Sequence, residues 1–216
     1  MPDPRTRSIY TSERFTPSLA IKIYFYIKFL TDLINTDKNF ISAFCTLQVT
    51  QNELDSINVM PLITYLAGYC VYRFLKTVKC EYCRENLTLD KTLELDEEYR
   101  FILNMDRGGL LCPQPDVITV VSYTYIVVKK LVSEEHEDNF LKVCNQRSLA
   151  WALTYQILID SECITYDQCN NGHTLENILN FVIKASCNTF LKNYCNQKND
   201  VLRSTLRKRK LQTLVK

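Results

Sequence analysis

The cysteines and histidines are the residues whose type and spacing best suit chemistry in this chain. Cys80 and Cys83 are separated by two residues, a spacing at which two thiolates from one turn can bind a single Zn²⁺. A structural zinc site needs two further ligands. The chain has only two histidines, and His173 follows Cys163 and Cys169 closely. The sequence therefore predicts a Cys₃His zinc site made of Cys80, Cys83, His173 and one of those two cysteines.

The thiols also have simpler interpretations. Ten cysteines are present, and because no secretory signal is recognisable we expect reduced thiols in the cytosol or nucleus, most of them buried as small apolar groups. A thioredoxin-like redox role is disfavoured, because no βαβ pattern surrounds Cys80 and Cys83. Ordinary thiols remain the alternative to zinc. We interpret His136, among four acidic residues, as a solvated residue at the start of a helix.

A basic run close to the C-terminal end is the second candidate site. Lys and Arg number 26 against 24 Asp and Glu, but residues 201–216 hold six of the cations and no acid. The candidate nucleic-acid-binding residues are Arg203, Arg207, Lys208, Arg209 and Lys210. They could contact phosphates, act as a nuclear import signal, or form a solvated face. Interleaved leucines predict an amphipathic helix with weak, salt-sensitive attraction to nucleic acid.

Motifs of the common catalytic types are not recognisable. We find no Gly-rich phosphate loop, no Gly-x-Ser-x-Gly elbow and no His-Glu-x-x-His. Asp96, Glu97 and Glu98 are adjacent, so their carboxylates should point in different directions on the surface. Asp106 precedes Arg107 and two glycines, and we predict that it hydrogen-bonds the backbone of its own loop.

The elements that must position these residues are predicted to be helices. Four glycines and six prolines in 216 residues leave few turns. Apolar residues at helical spacing predict helices over 17–35, 38–47, 58–78, 117–131 and 174–197, and either one helix or a broken pair of helices over 134–159. Although 117–131 is rich in β-branched residues, its length favours a buried helix over a strand. No apolar run approaches the roughly 18 residues that span a membrane. We predict an all-α irregular bundle of about six to eight helices.

Packing of the bundle can also be predicted. The predicted core residues are Tyr65, Leu66, Tyr69, Phe74, Trp151, Ile178 and Phe181. Gly68 lies inside a predicted helix, where glycine costs about 1 kcal/mol relative to alanine. We therefore predict that another helix crosses closely at Gly68.

Three motifs follow one another in an order that resembles a known family. They are Tyr-Leu-Ala-Gly-Tyr-Cys-Val at 65–71, the Cys80 and Cys83 pair, and Asp-Arg-Gly-Gly-Leu at 106–110 with a proline shortly after. The order is similar to that in the C-terminal region of P-element-like transposases, which often carry an N-terminal THAP zinc finger. The segment from His173 to the basic run also resembles the last helix of that family. The resemblance covers about residues 52–216.

The resemblance implies part of an enzyme that cuts and joins DNA with a ribonuclease-H-like core, acidic residues and Mg²⁺. The aspartates and the Gln-Asp-x-x-Glu-like helix of that core are not recognisable here. We therefore predict a non-catalytic accessory region of a truncated or transposon-derived protein in the nucleus. Its expected partners are DNA and other transposase subunits, with no membrane and no small-molecule substrate. The alternative is a domesticated helical protein-interaction module with no role on DNA.

The resemblance also bears on the ligands and on the domain boundaries. Members of the family tend to place two histidines before the last helix. His173 matches the second and Cys163 replaces the first, which gives the zinc set Cys80, Cys83, Cys163 and His173. Residues 1–50 look unrelated to the family and are predicted to form a helical extension. Residues 51–200 would be the transposase C-terminal helical domain, and 201–216 a basic tail.

Overall fold

A computed structural model gives the architecture of residues 44, 46–90, 95–106, 109–161, 169 and 171–214, without the side chains of 206–214. The predicted helix over 17–35 and most of that over 38–47 lie outside these residues. So does nearly all of the predicted extension over 1–50, whose assignment stays a prediction.

The described residues form eight α-helices and one short two-stranded ladder. In the first half these are α1 (Gln51–Asp55), α2 (Met60–Val78), α3 (Glu81–Leu87) and α4 (Arg100–Met105), with a 3₁₀ turn at Glu97–Tyr99. In the second half they are α5 (Pro115–Leu131), α6 (Glu137–Lys142), α7 (Gln146–Ser161) and α8 (Leu175–Leu214). Strands β1 (Thr88–Leu89) and β2 (Cys112–Pro113) pair antiparallel, with Thr88 opposite Pro113. The prediction of an all-α fold is confirmed.

The core lies where α5 packs between the other long helices. α8 packs against α2, α5 and α7, and α5 also contacts α2 and α7. Because α5 is covered on several sides, its β-branched residues Val121 and Val127 are completely buried, which explains a helix that is apolar around most of its circumference. Pro115 lies in its first turn and Lys130 in its last, as expected of helix ends. No helix in the described ranges has both the length and the apolar character needed to cross a membrane.

The ends of the other helices follow local signals in the sequence. Thr50 and Glu53 form a capping box at the start of α1, in which the Thr50 amide donates to the Glu53 carboxylate at 2.9 Å. Pro61 lies in the first turn of α2, close to the predicted start at residue 58. The Thr174 hydroxyl accepts a hydrogen bond from the Asn177 amide at 3.3 Å and caps α8.

α8 is longer than predicted. The prediction that the helix ends near residue 197 is wrong, because α8 continues unbroken through 40 residues to Leu214. The helix predicted for the basic run is the last part of α8. Its apolar spacing stops where the helix leaves the body, and residues 195–205 are all exposed. No glycine or proline occurs after residue 172 to end the helix. The predicted domain boundary at residue 200 stays a prediction, and α8 crosses it without interruption.

Gly68 marks a close approach, as predicted, but the tightest contact is not with a helix. A Cβ at Gly68 would lie 2.3 Å from the carbonyl oxygen of Leu111 and 3.4 Å from Cδ1 of Ile102 in α4. A helix therefore does pass Gly68, but Leu111, which comes closest, belongs to the segment that leads into β2. A glycine shows that backbone must pass closely, but it does not show which kind of backbone.

Most of the predicted core residues are buried. Leu66, Phe74, Trp151 and Ile178 are buried, whereas Tyr65 and Phe181 are half-buried and pack against the core. Tyr69 is 40% exposed, so its assignment to the core was wrong. The buried side of α2 carries residues such as Ala67 and Val71. Tyr69 lies about 200° around the helix from Ala67 and therefore faces outward.

Candidate metal centre

The turn between α2 and α3 positions the first two thiols. α2 ends at Val78 and is followed by Lys79, whose backbone is left-handed with φ 50° and whose amide donates to the Leu75 carbonyl at 2.8 Å. This turn ends the helix and redirects the chain. Cys80 is then the extended residue that precedes α3, and Cys83 lies in the first turn of α3. Both thiols are buried, with exposed fractions of 5% and 0%.

A tight turn before α8 positions the other two ligands. The Gly172 amide donates to the Cys169 carbonyl at 2.9 Å, and the Cys169 amide donates to the His173 carbonyl at 3.3 Å. Gly172 has φ 76°, a left-handed conformation that favours glycine. The His173 amide also donates to Cys169 Sγ at 3.3 Å. The turn therefore holds the thiol and the imidazole side by side at the base of α8.

The two turns meet and bring four ligand atoms together. The ligand atoms of Cys80, Cys83, Cys169 and His173 all lie within 4.8 Å of one another. Cys83 Sγ is 3.9 Å from Cys169 Sγ and 3.4 Å from His173 Nδ1, and Cys169 Sγ is 3.1 Å from the same nitrogen. In a tetrahedral zinc site the sulfurs lie about 3.8 Å apart, and sulfur and nitrogen about 3.5 Å apart. The cluster therefore fits one tetrahedral ion, and we refer to these four residues as the Cys₃His cluster.

The surroundings of Cys80 favour its thiolate. The Cys83 backbone amide hydrogen-bonds to the Cys80 sulfur, and the Asn171 side-chain amide donates to it at 3.3 Å. Together these donors outweigh burial and lower the pKa of Cys80 to about 6. In contrast, burial in apolar surroundings raises the pKa of Cys70 and of Cys187 to about 12. Metals bind thiolates, so the low pKa of Cys80 suits a metal ligand, whereas the raised pKa values of the two core thiols do not.

The structure thus brings together three of the four residues in the predicted zinc set. Cys80, Cys83 and His173 meet, and the fourth position is taken by Cys169, which the spacing had left as the alternative to Cys163. Cys163 lies outside the described residues. Among the described residues this is the only group of three or more potential metal ligands that converge. Asn171 was not among the predicted site residues, although its position between Cys169 and His173 was an available signal.

The predicted nucleic-acid-binding residues all lie on α8. Arg203 is exposed and lies 3.9 Å from Asp200. The backbone at 207–210 continues the helix, and the side chains of Arg207, Lys208, Arg209 and Lys210 are outside the described part of the chain.

Two further predictions concerned single polar residues. The Asp106 carboxylate accepts hydrogen bonds from the amides of Gly109 at 3.0 Å and Leu110 at 3.1 Å, so its predicted role in its own loop is confirmed. His136 lies at the start of a helix, as predicted, because it is the residue that precedes α6. It is half-buried and not fully solvated, since its side chain is 20% exposed and its ring lies 5.8 Å from that of the buried Phe44.

Comparison with known proteins identifies the family. The model of the family described as DNA transposase THAP9, C-terminal domain, matches residues 46–200. No curated protein and no solved structure matches the chain. The matched range contains α1 to α7, all four residues of the Cys₃His cluster and the buried part of α8. The chain belongs to the family of THAP9-type DNA transposase C-terminal domains.

Proposed function

We propose that this chain is a non-catalytic accessory region of a THAP9-type transposase, which holds a structural zinc ion and contacts DNA in the nucleus. The observation that carries the proposal is the continuity of α8. The helix begins directly after the Cys₃His cluster and runs without a break into the basic run. One element therefore connects a buried anchor to a basic end.

The chemistry of the cluster supports zinc in a structural role. Three thiolates and one imidazole suit Zn²⁺. Four protein ligands complete a tetrahedron and leave no position for water or substrate, which is typical of structural zinc. Bound zinc would offset most of the negative charge of the thiolates and link the turn after α2 to the start of α8. Mg²⁺ prefers oxygen ligands and retains several waters, so the cluster is not suited to the metal chemistry of DNA cleavage.

The exposed end of α8 supports a contact with DNA. Among the side chains of α8 that the structure describes, the last buried one is Leu191, and residues 195–214 would extend about 30 Å at 1.5 Å per residue. Val201 and Leu202 are more than 60% exposed, so the described part of the body leaves this stretch largely uncovered. Cations on an uncovered helix can reach phosphates. Assembly with other transposase subunits is the second expected role of the same domain.

Salt-dependent binding of duplex DNA tests the DNA contact. Fluorescence anisotropy with a labelled duplex of about 24 bp would be measured between about 50 and 200 mM salt. Replacing Arg203, Arg207, Lys208, Arg209 and Lys210 by Gln should reduce the slope of log K against log[salt] by about 4.5, since each phosphate contact contributes about 0.9. A control in which the three arginines become lysines keeps the charge and should keep the slope. Unchanged binding by the Gln variant would contradict the proposed contact.

One observation favours the alternative role as a protein-interaction module without DNA. Leu62, Tyr69 and Tyr72 of α2 are 57%, 40% and 40% exposed. They are seven and three residues apart, which places them along one side of the helix. Exposed aromatic residues are enriched at protein interfaces. This role predicts that the Gln variant binds DNA like the parent chain, and that Tyr69→Ser with Tyr72→Ser abolishes self-association in sedimentation experiments.

A further inference from the structure

A groove between α7 and α8 carries positive charge that the proposed function has not used. It encloses about 330 Å³ and lies beside the buried Trp151 and Cys187. Its rim carries the exposed side chains of Arg147 from α7 and Lys184 from α8. We call this feature the α7–α8 groove.

The composition of the groove suits an anion. Its described lining consists of cationic, amide, hydroxyl, indole and thiol groups, with no carboxylate. Within the described part of the chain, neither Arg147 nor Lys184 has a carboxylate partner at ion-pair distance. Ser148 and Asn188 supply neutral donors at the same rim. Two cations with nearby neutral donors match the oxygens of a phosphate group.

The wall of the groove is held in place. The Trp151 indole nitrogen donates to Asn180 Oδ1 at 3.1 Å, which links α7 to α8. Lys184 Nζ lies 5.1 Å from the centre of the indole ring, a cation–π contact. The lysine is therefore held near the groove, and its charge faces a fixed surface instead of sampling all directions.

The position of the groove along α8 fits duplex DNA as the ligand. Positions 184 and 209 of α8 are 25 residues apart, which corresponds to about 38 Å, and at about 100° per residue they lie within about 20° of the same side of the helix. One turn of B-DNA is about 34–36 Å, and a duplex presents the same face again after this distance. We propose that the α7–α8 groove is a second phosphate contact for duplex DNA, one helical turn away from the basic run. This inference rests on the proposed DNA contact of α8.

Binding to duplexes of two lengths tests the inference. The variant Arg147→Gln/Lys184→Gln removes both rim cations, and because both side chains are exposed the fold should tolerate the change. With a duplex of about 24 bp the salt slope should fall by about 1.8 and the affinity at about 0.1 M salt by about tenfold or more. A duplex of about 8 bp spans only about 27 Å and cannot reach both contacts. For this short duplex the variant should lose much less affinity.

A matched control and the basic-run variant separate the possible results. Arg73→Gln/Lys76→Gln removes one arginine and one lysine from the exposed side of α2 and should leave DNA binding unchanged. If the groove variant lost the same affinity for both duplex lengths, the proposed spacing of one DNA turn would be wrong. The groove would then bind any phosphate, and inorganic phosphate should compete with the duplex. If the groove variant binds like the parent chain while the basic-run variant is impaired, the inference alone fails. If neither variant is impaired, the proposed DNA contact fails as well.

Discussion

Removal of one ligand from the Cys₃His cluster should strongly destabilise the domain. Cys83 and Cys169 are 86 residues apart in sequence, so a metal bound by both closes a long loop. By analogy with a disulfide, a cross-link over such a loop lowers the entropy of the unfolded chain and raises the free energy of unfolding by about 4–5 kcal/mol at 25 °C. For a domain of this size, 1 kcal/mol corresponds to about 2–4 °C in Tm, so Cys83→Ser should lower the Tm by about 8–20 °C.

Thermal unfolding with zinc analysis measures this effect. Protein purified without chelator should contain one zinc per chain, and Cys83→Ser should contain much less than one. Cys195→Ser is the matched control, because Cys195 is an exposed thiol on α8 outside the cluster. The control should retain both its zinc and its Tm. Addition of a chelator should lower the Tm of the parent and of Cys195→Ser, but should change Cys83→Ser little.

Two results would refute this reasoning. Equal Tm values for Cys83→Ser and Cys195→Ser would show that the cluster does not act as a cross-link. A parent chain without stoichiometric metal, whose Tm does not rise on addition of zinc, would show that the four residues meet only as a packed group of thiols. In that case the chain would depend on its apolar core alone.

Three further changes have expected outcomes. Gly68→Ala should destabilise by about 1–3 kcal/mol in urea, despite better helix propensity, because its Cβ would lie 2.3 Å from the Leu111 carbonyl oxygen; an unchanged midpoint would contradict the close approach. Asn171→Leu should raise the pKa of Cys80 from about 6 toward its ordinary value of 9.0. Because the pKa of Cys80 is lower in the folded chain, its thiolate stabilises the fold at high pH, and this stabilisation is lost as the pH falls through 6. Between pH 6 and 9 the metal-free variant should therefore gain less stability than the metal-free parent chain. An equal gain would rule out this role of Asn171. Phe44→Ala should cost about 3–5 kcal/mol in the same unfolding assay, because Phe44 is 1% exposed, and a loss under 1 kcal/mol would argue against its burial.

Signals local in sequence predicted the local structure well. Pro61 and Thr174 marked helix starts that the structure has, and the length of the β-branched segment correctly favoured a helix, α5. Three of the four cluster residues followed from the Cys80 and Cys83 spacing and from the scarcity of histidine. In each case the physical cause lies within a few residues of the signal.

Features that depend on distant contacts could not be predicted in the same way. The partner of Gly68 is a backbone segment some forty residues away, and no local pattern identifies it. Tyr69 is on the outer side of α2, which only the packing of its neighbours determines. The predicted end of α8 near residue 197 was wrong because the apolar spacing indicates only where the helix contacts the body. A helix continues beyond that contact until a residue that disfavours helix ends it.

The separation of the cluster into two turns has a consequence for biosynthesis. The turn with Cys80 and Cys83 leaves the ribosome about ninety residues before His173 does, and a nascent chain with only that turn offers a metal two sulfurs instead of four donors. Tight metal uptake must therefore wait until the base of α8 has been synthesised and has docked. With the proposed zinc bound, the ion would distinguish finished, folded copies from incomplete ones, and a shortage of zinc would leave the protein in a form prone to degradation.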